Sequence, residues 1–208
     1  MPTPSDIIEG LSAIVKNFKW IAIAWHILFA VVVVLFFTGW RPKRKFAAFA
    51  LSVPLLSVSV LAWIKNNPFS GIVFLLFAVL LAVVGLRLPD EKVQRGVPWA
   101  FGIGILMIIF GWIYPHFLES GKWFEYLYAA PTGLIPCPTL SITIGFALLA
   151  NGLSSRLWSF LLAFIGLFYG LFGVIRLGVH LDVGVLIGSL ALVLLAFNLN
   201  SPPSPIQT

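Results

Sequence analysis

From Trp20 to Leu199 the sequence is a succession of long apolar runs with almost nothing between them: Trp20–Trp40, Phe46–Ile64, Ser70–Leu86, Pro98–Tyr114, Pro138–Leu153, Leu157–Ile175 and Val183–Leu199. An α-helix needs ~20 apolar residues to cross the hydrocarbon core of a bilayer. Continuous apolar runs of this length, without period-two alternation, are helical, because a helix satisfies its own backbone hydrogen bonds in lipid. The expected fold class is therefore all-α: a polytopic transmembrane helix bundle of about seven spans. Short links make consecutive spans antiparallel neighbours. Composition agrees. Of the 208 residues 60% are hydrophobic and only 10% charged, with a mean hydropathy of +1.04, whereas a soluble domain carries about 25% charged residues. Lipid must cover what this chain cannot cover with polar surface.

The sequence divides into a lead-in (1–19), one transmembrane domain (20–199) and a tail (200–208). In the lead-in, Ile7, Ile8, Leu11, Ile14, Val15 and Phe18 share one helical face, as in a helix lying along the membrane interface. Asp6 and Glu9 occupy the place of a basic signal-peptide region, so insertion is expected to rely on the first span. The proline- and serine-rich tail, "SPPSPIQT", reads as disordered.

Basic residues gather in alternate links: Arg41, Lys43, Arg44 and Lys45, then Arg87, Lys92 and Arg95, then Arg156. The positive-inside rule makes that side cytoplasmic. The N-terminus is then outside and the C-terminus cytoplasmic, in a multi-pass protein of a bacterial inner membrane. Trp20, Trp40, Trp63, Trp99, Trp112 and Trp158 fall near run ends, at the headgroup level. The net charge of +6 therefore reflects topology and implies no nucleic acid. Besides the lipid bilayer, a membrane-protein partner or a second copy could use the glycine-rich faces at Gly166, Gly170 and Gly173 or at Gly102, Gly104 and Gly111. Packing within the bundle explains the same glycines. Pro54 is expected to kink the second span.

The opposite, outer side holds most of the chemistry: His116, Glu119, Glu125, Tyr126, Tyr128, Cys137, Arg176, His180 and Asp182. In "PTGLIPCPTLS" the single cysteine stands between two prolines. Proline suits the first turn of a helix, and a thiol there feels the positive end of the helix dipole. Cys137 is either a reactive or ligating thiol, or a small residue that fits where a helix begins. Cys137, His116 and His180 could form a mixed site suited to zinc or copper, although no spacing brings them together. His26, inside the first span, either faces a cavity or bonds to a neighbouring helix. Arg176 has Asp182 and the Glu119/Glu125 link as partners, and it can also snorkel to the headgroups. No zinc-protease, serine-hydrolase, P-loop or dinucleotide motif is present, and no cofactor is expected.

At "YAAPTGLIPCPTLSITIGFALLA" and "RLWSFLLAFIGLFYGLFGVIRLGVHLDVGVLIGSLAL" the chain resembles a family of bacterial polytopic membrane proteins known only as a domain of unknown function, with a Pro-x-Pro-Thr motif where a helix begins. The likeness covers roughly the last third of the chain and rests on Pro131, Thr132, Pro136, Cys137, Pro138, Thr139 and Asp182. It implies architecture and no activity. It also implies that the residue between the prolines varies, which puts the weight on Pro136, Pro138 and Thr139. Two functions remain open: binding or moving a small solute or ion at an outer site, and acting as an accessory subunit. A membrane-embedded enzyme ranks third. The candidate binding set is Pro136, Cys137, Pro138, Thr139, Glu119, Arg176, His180 and Asp182.

Overall fold

A computed structural model describes residues 3–115 and 122–199. The amphipathic lead-in is a helix, α1 (Pro4–Asn17). Thr3 caps it by accepting from the Asp6 N–H, and the Asp6 carboxylate accepts in return from the Thr3 N–H at 2.8 Å. These bonds hold the Asp6 carboxyl below its ordinary range. Ile14 and Val15 are the buried part of its apolar face.

The bundle follows as α2 (Lys19–Phe37), α3 (Arg44–Ile64), α4 (Pro68–Leu86) and α5 (Pro98–Trp112), a short α6 (Tyr126–Ala129), α7 (Pro136–Leu149), α8 (Arg156–Leu171) and α9 (Val183–Asn198). A π-helical turn, Phe172–Arg176, extends α8, and a 3-10 turn, His180–Asp182, leads into α9. All seven expected runs are helical. Among the described residues five of the helical segments are long and apolar enough to cross a membrane; α5 and α7 are shorter, at 15 and 14 residues. At 1.5 Å per residue α7 covers ~21 Å, against a hydrocarbon core of ~30 Å. The fifth run also ends earlier than its apolar sequence suggests. The chain turns left-handed over Asn151–Ser154, with φ of 51–58°, and an L-residue helix stops there.

Helices α3 and α4, α5 and α7, and α8 and α9 pack as antiparallel pairs, and α7 runs down the middle against α3, α5, α8 and α9. Lipid offers no hydrophobic drive for helices to associate, so close backbone approach does the work. Added Cβ atoms show where. At Gly145 one would press on the Gly104 carbonyl and Ile108, at Gly111 on the Pro138 carbonyl and Ile142, and at Gly170 on Leu186. Gly166 faces Ser189, Gly173 faces Asp182, and only Gly102 of the expected faces meets open space. Apart from Gly102, the glycines of the two runs pack inside the bundle. α3 runs through Pro54 as one helix. α2 lies at the edge, held by Trp25 and Phe29 stacked toward Phe146 of α7.

The links expected on one side of the membrane meet at one end of the bundle. Lys43 and Lys92 form an antiparallel bridge, flanked by Arg44 N–H to Glu91 O and Val93 N–H to Pro42 O, both 2.8 Å. Lys43–Asp90 (2.7 Å) and Arg44–Glu91 (2.9 Å) are ion pairs, and the Gly96 N–H donates to Leu149 O. This end has eight basic and two acidic residues. The other end has five basic and four acidic among the described residues.

Candidate functional site

The site begins with the backbone ahead of α7. Thr132 donates its hydroxyl to Gly111 O at 2.6 Å, stitching the loop to the end of α5. Gly133 adopts φ +78° beneath the Trp25 ring, a conformation and a space that only glycine fits. Its N–H donates to Thr139 Oγ1 (2.8 Å), and Thr139 donates onward to Ile135 O (2.6 Å). Its carbonyl accepts from Ser57, which accepts in turn from the Trp25 indole. His26 adds a second tie between α2 and α5: its ring nitrogens lie 2.8 Å from Ala22 O and 3.0 Å from Trp112 O. Irregular backbone at membrane depth is tolerated where protein surrounds it, and this loop is buried from Ala129 to Pro136.

The Pro-Cys-Pro spacing has a physical reason. A helix start leaves its first N–H groups without intrahelical acceptors, and a buried start must account for each one. Ile135, the N-cap residue, donates to Pro131 O. Pro136 and Pro138 have no N–H to donate. Only Cys137 brings an N–H that the first turn cannot use. The side chain follows the same logic. From Ala129 to Ala150 every residue is buried except Cys137, which is partly accessible.

Cys137 opens onto a cleft that encloses about 440 Å³, its open mouth included. Ser70 and Asn67 at the start of α4 line one wall, Tyr114 and Tyr169 another, and Ile7 and Leu11 of α1 lie across it. Asp182, 2% exposed, accepts a 2.6 Å hydrogen bond from the Tyr114 hydroxyl and stands close enough to accept one from the Cys137 thiol. The carboxylate lies against Gly173, where a Cβ would collide with it. The π-helical turn that carries Gly173 therefore makes room for the acid. Cys137 Sγ lies 4.0 Å from Tyr169 O. The Tyr169 hydroxyl is buried without a close hydrogen bond, with Ser70 as its polar neighbour.

The cleft thus gathers Pro136, Cys137 and Asp182 from the candidate set. Pro138 and Thr139 are buried within α7, and Thr139 spends its hydroxyl on the backbone. Arg176 and His180 are exposed and do not line the cleft. Glu125 pairs with Lys19 at 2.8 Å. His116 and Glu119 lie outside the described residues. Among the described residues no three His, Cys, Asp or Glu side chains gather as a metal site.

Tyr114, Tyr169, Ser70 and Asn67 belong to the site and escaped the sequence reading. Tyr114 ends an apolar run and Tyr169 sits in "GLFYGLFG", where the glycines suggest only packing. Their signal was positional: each falls toward the end of its run that lies at the Cys137 end of the bundle. The assembled groups are a carboxylate, a thiol, two phenols, a hydroxyl and a carboxamide around a small recess. They offer hydrogen bonds in both directions and one acidic group, which suits a small polar or cationic guest. Comparison with protein-family models, with curated proteins and with solved structures finds no match for this chain.

Proposed function

We propose that the protein binds or moves a small polar solute or cation through the Cys137–Asp182 cleft, with that end facing outside and the basic end in the cytoplasm of a bacterial cell. Seven crossings, two of them by the short α5 and α7, complete this topology, and the family resemblance at residues 131–139 belongs to the same proposal. One observation carries it: in the buried stretch 129–150 the single accessible residue opens onto a recess that holds a buried acid and two buried phenols. Buried polar groups around a cavity are costly in a membrane protein and mark solute sites. In this reading the 14-residue α7 is too short to cross alone and the recess at its start lies within the bilayer, as at the half-length helices of transporters. Ile7 and Leu11 of α1 line the same recess, so a guest there would touch the lead-in helix.

Two measurements test this reading. In intact cells an impermeant maleimide should label Cys137; labelling only after permeabilisation would reverse the orientation. In detergent, a panel of inorganic cations and small amines should contain at least one that raises the melting temperature of the wild type and leaves Asp182→Asn unmoved. A panel without effect, or with equal effect on both proteins, would overturn the binding role. Of the glycines expected to form a partner face only Gly102 meets open space, which gives the accessory-subunit reading less support.

A further inference from the structure

A second groove lies at the other end of the molecule, between the peripheral helix α2 and α3, with α7 as its floor. It encloses about 520 Å³, mouth included. Val32 and Phe36 form one wall, Ala47 and Leu51 the other, and Phe146 and Ala150 the floor. The lining is apolar, and the outer faces beside it are exposed at Val31, Leu35 and Phe49. At one end of the groove stand Trp40 and Phe46, edge to face at 6.2 Å, where interfacial aromatics belong.

The charges next to that end are unbalanced. Arg41 lies over the Phe36 ring, 4.3 Å from its centroid, and donates to the Phe36 and Trp40 carbonyls. Among the described residues neither Arg41 nor Lys45 forms a direct ion pair: Asp90 and Glu91 pair with Lys43 and Arg44, and Lys45 acts on Asp90 only at longer range. A guanidinium keeps donors in a fork that matches a phosphate. The aromatic ring and the two carbonyls hold this one in place beside the groove. An apolar slot that ends at a fixed arginine and a second cation has the two-part shape of a phospholipid.

We propose that this groove binds one anionic phospholipid, an acyl chain lying between α2 and α3 and its phosphate meeting Arg41 and Lys45. The eight basic and two acidic residues of this end favour an anionic over a zwitterionic headgroup. Both walls come from one chain, so the site is complete in a monomer. The bound chain fills the space that keeps α2 apart from α3, and α2 in turn carries Trp25 and His26 to the cleft loop.

Native mass spectrometry of the full chain in detergent, with equimolar phosphatidylglycerol and phosphatidylethanolamine added, tests the site. Wild type should retain one phosphatidylglycerol in preference to phosphatidylethanolamine. The double variant R41Q/K45Q, which removes both half-buried cations, should lose that preference by about tenfold or more while still binding either lipid weakly, its circular dichroism spectrum checked against wild type. Ala47→Trp should fill the groove and abolish both adducts, with an unchanged circular dichroism spectrum as the check on folding. Equal retention of the two lipids by wild type, or an unchanged preference in R41Q/K45Q, would overturn the proposal. So would a dimer mass in place of the lipid adduct, which would assign the groove to a second copy of the chain.

Discussion

At the basic end, links that are distant in sequence bond to one another through backbone, ion pairs and close glycine contacts, so that Gly96 sits directly on Leu149 O. At the cleft end α5 stops at Trp112 and α7 begins at Pro136, and between them lie a buried loop and polar side chains around a recess that α1 helps to line. The charge pattern differs as well, with a large basic excess at one end and near balance at the other. One end is built for anchorage and orientation. The other keeps buried polarity that contributes nothing obvious to stability. The contrast teaches that the buried loop ahead of α7 makes the site, since it sets Cys137 in the first turn of α7 within the cleft that Asp182 also lines.

The comparison breaks most completely if α7 is dislodged. Gly145→Val places a branched side chain against the Gly104 carbonyl and Ile108, and overpacking of this kind costs about 3 kcal/mol. Thermal unfolding in detergent should show the loss. A variant within ~1 kcal/mol of wild type would mean that α7 tolerates displacement and does not fix the cleft.

A smaller effect is expected inside the cleft. Asp182→Ala leaves the buried Tyr114 hydroxyl without its acceptor, and an orphaned buried donor costs about 1–3 kcal/mol. Adding Tyr114→Phe should restore part of that loss, because the two deletions share one interaction. Strict additivity in the double-mutant cycle would dissolve the pair.

The bundle was legible because lipid imposes a simple rule on sequence: long apolar runs, breaks at short links, cations on one side. Each of the seven runs became a helix, and the links gathered at the ends where their charges placed them. Lengths were less legible. Pro138–Leu153 read as a span because apolar content continues to Leu153, but a left-handed turn over Asn151–Ser154 ends the helix, and hydropathy does not report φ. Half of the site was legible in the same sense. Cys137 and Asp182 are chemically loud, whereas Tyr114 and Tyr169 look like the aromatic packing around them. Arg176 and His180 misled because closeness to Asp182 in sequence does not fix direction; the turn that buries Asp182 exposes both of them.

Tyr169→Phe sharpens the comparison by separating stability from binding. The hydroxyl makes no close hydrogen bond and has only Ser70 as a polar neighbour, so its removal should change stability by no more than ~1 kcal/mol. The same change should weaken whatever cation or amine stabilises wild type. A clear loss of stability would show that the hydroxyl already serves the fold, and the cleft end would then resemble the basic end.

The smallest effect belongs to the basic end and depends on pH. The Lys43 ammonium, 2.7 Å from Asp90, holds that carboxyl below its ordinary value. A carboxyl lowered in the folded state stabilises it at pH values above its unfolded pKa of about 4, and the contribution fades as pH falls through the lowered folded value. Both side chains are exposed, so the pair is weak and screened by salt. Asp90→Asn should therefore melt slightly below wild type at pH 7 in low salt, and the two curves should merge on acidification or in high salt. A gap that survives both treatments would mean that the backbone bridge between Lys43 and Lys92, and not the ion pair, depends on residue 90. The anchorage of this end would then rest on main-chain pairing, which the charges merely decorate.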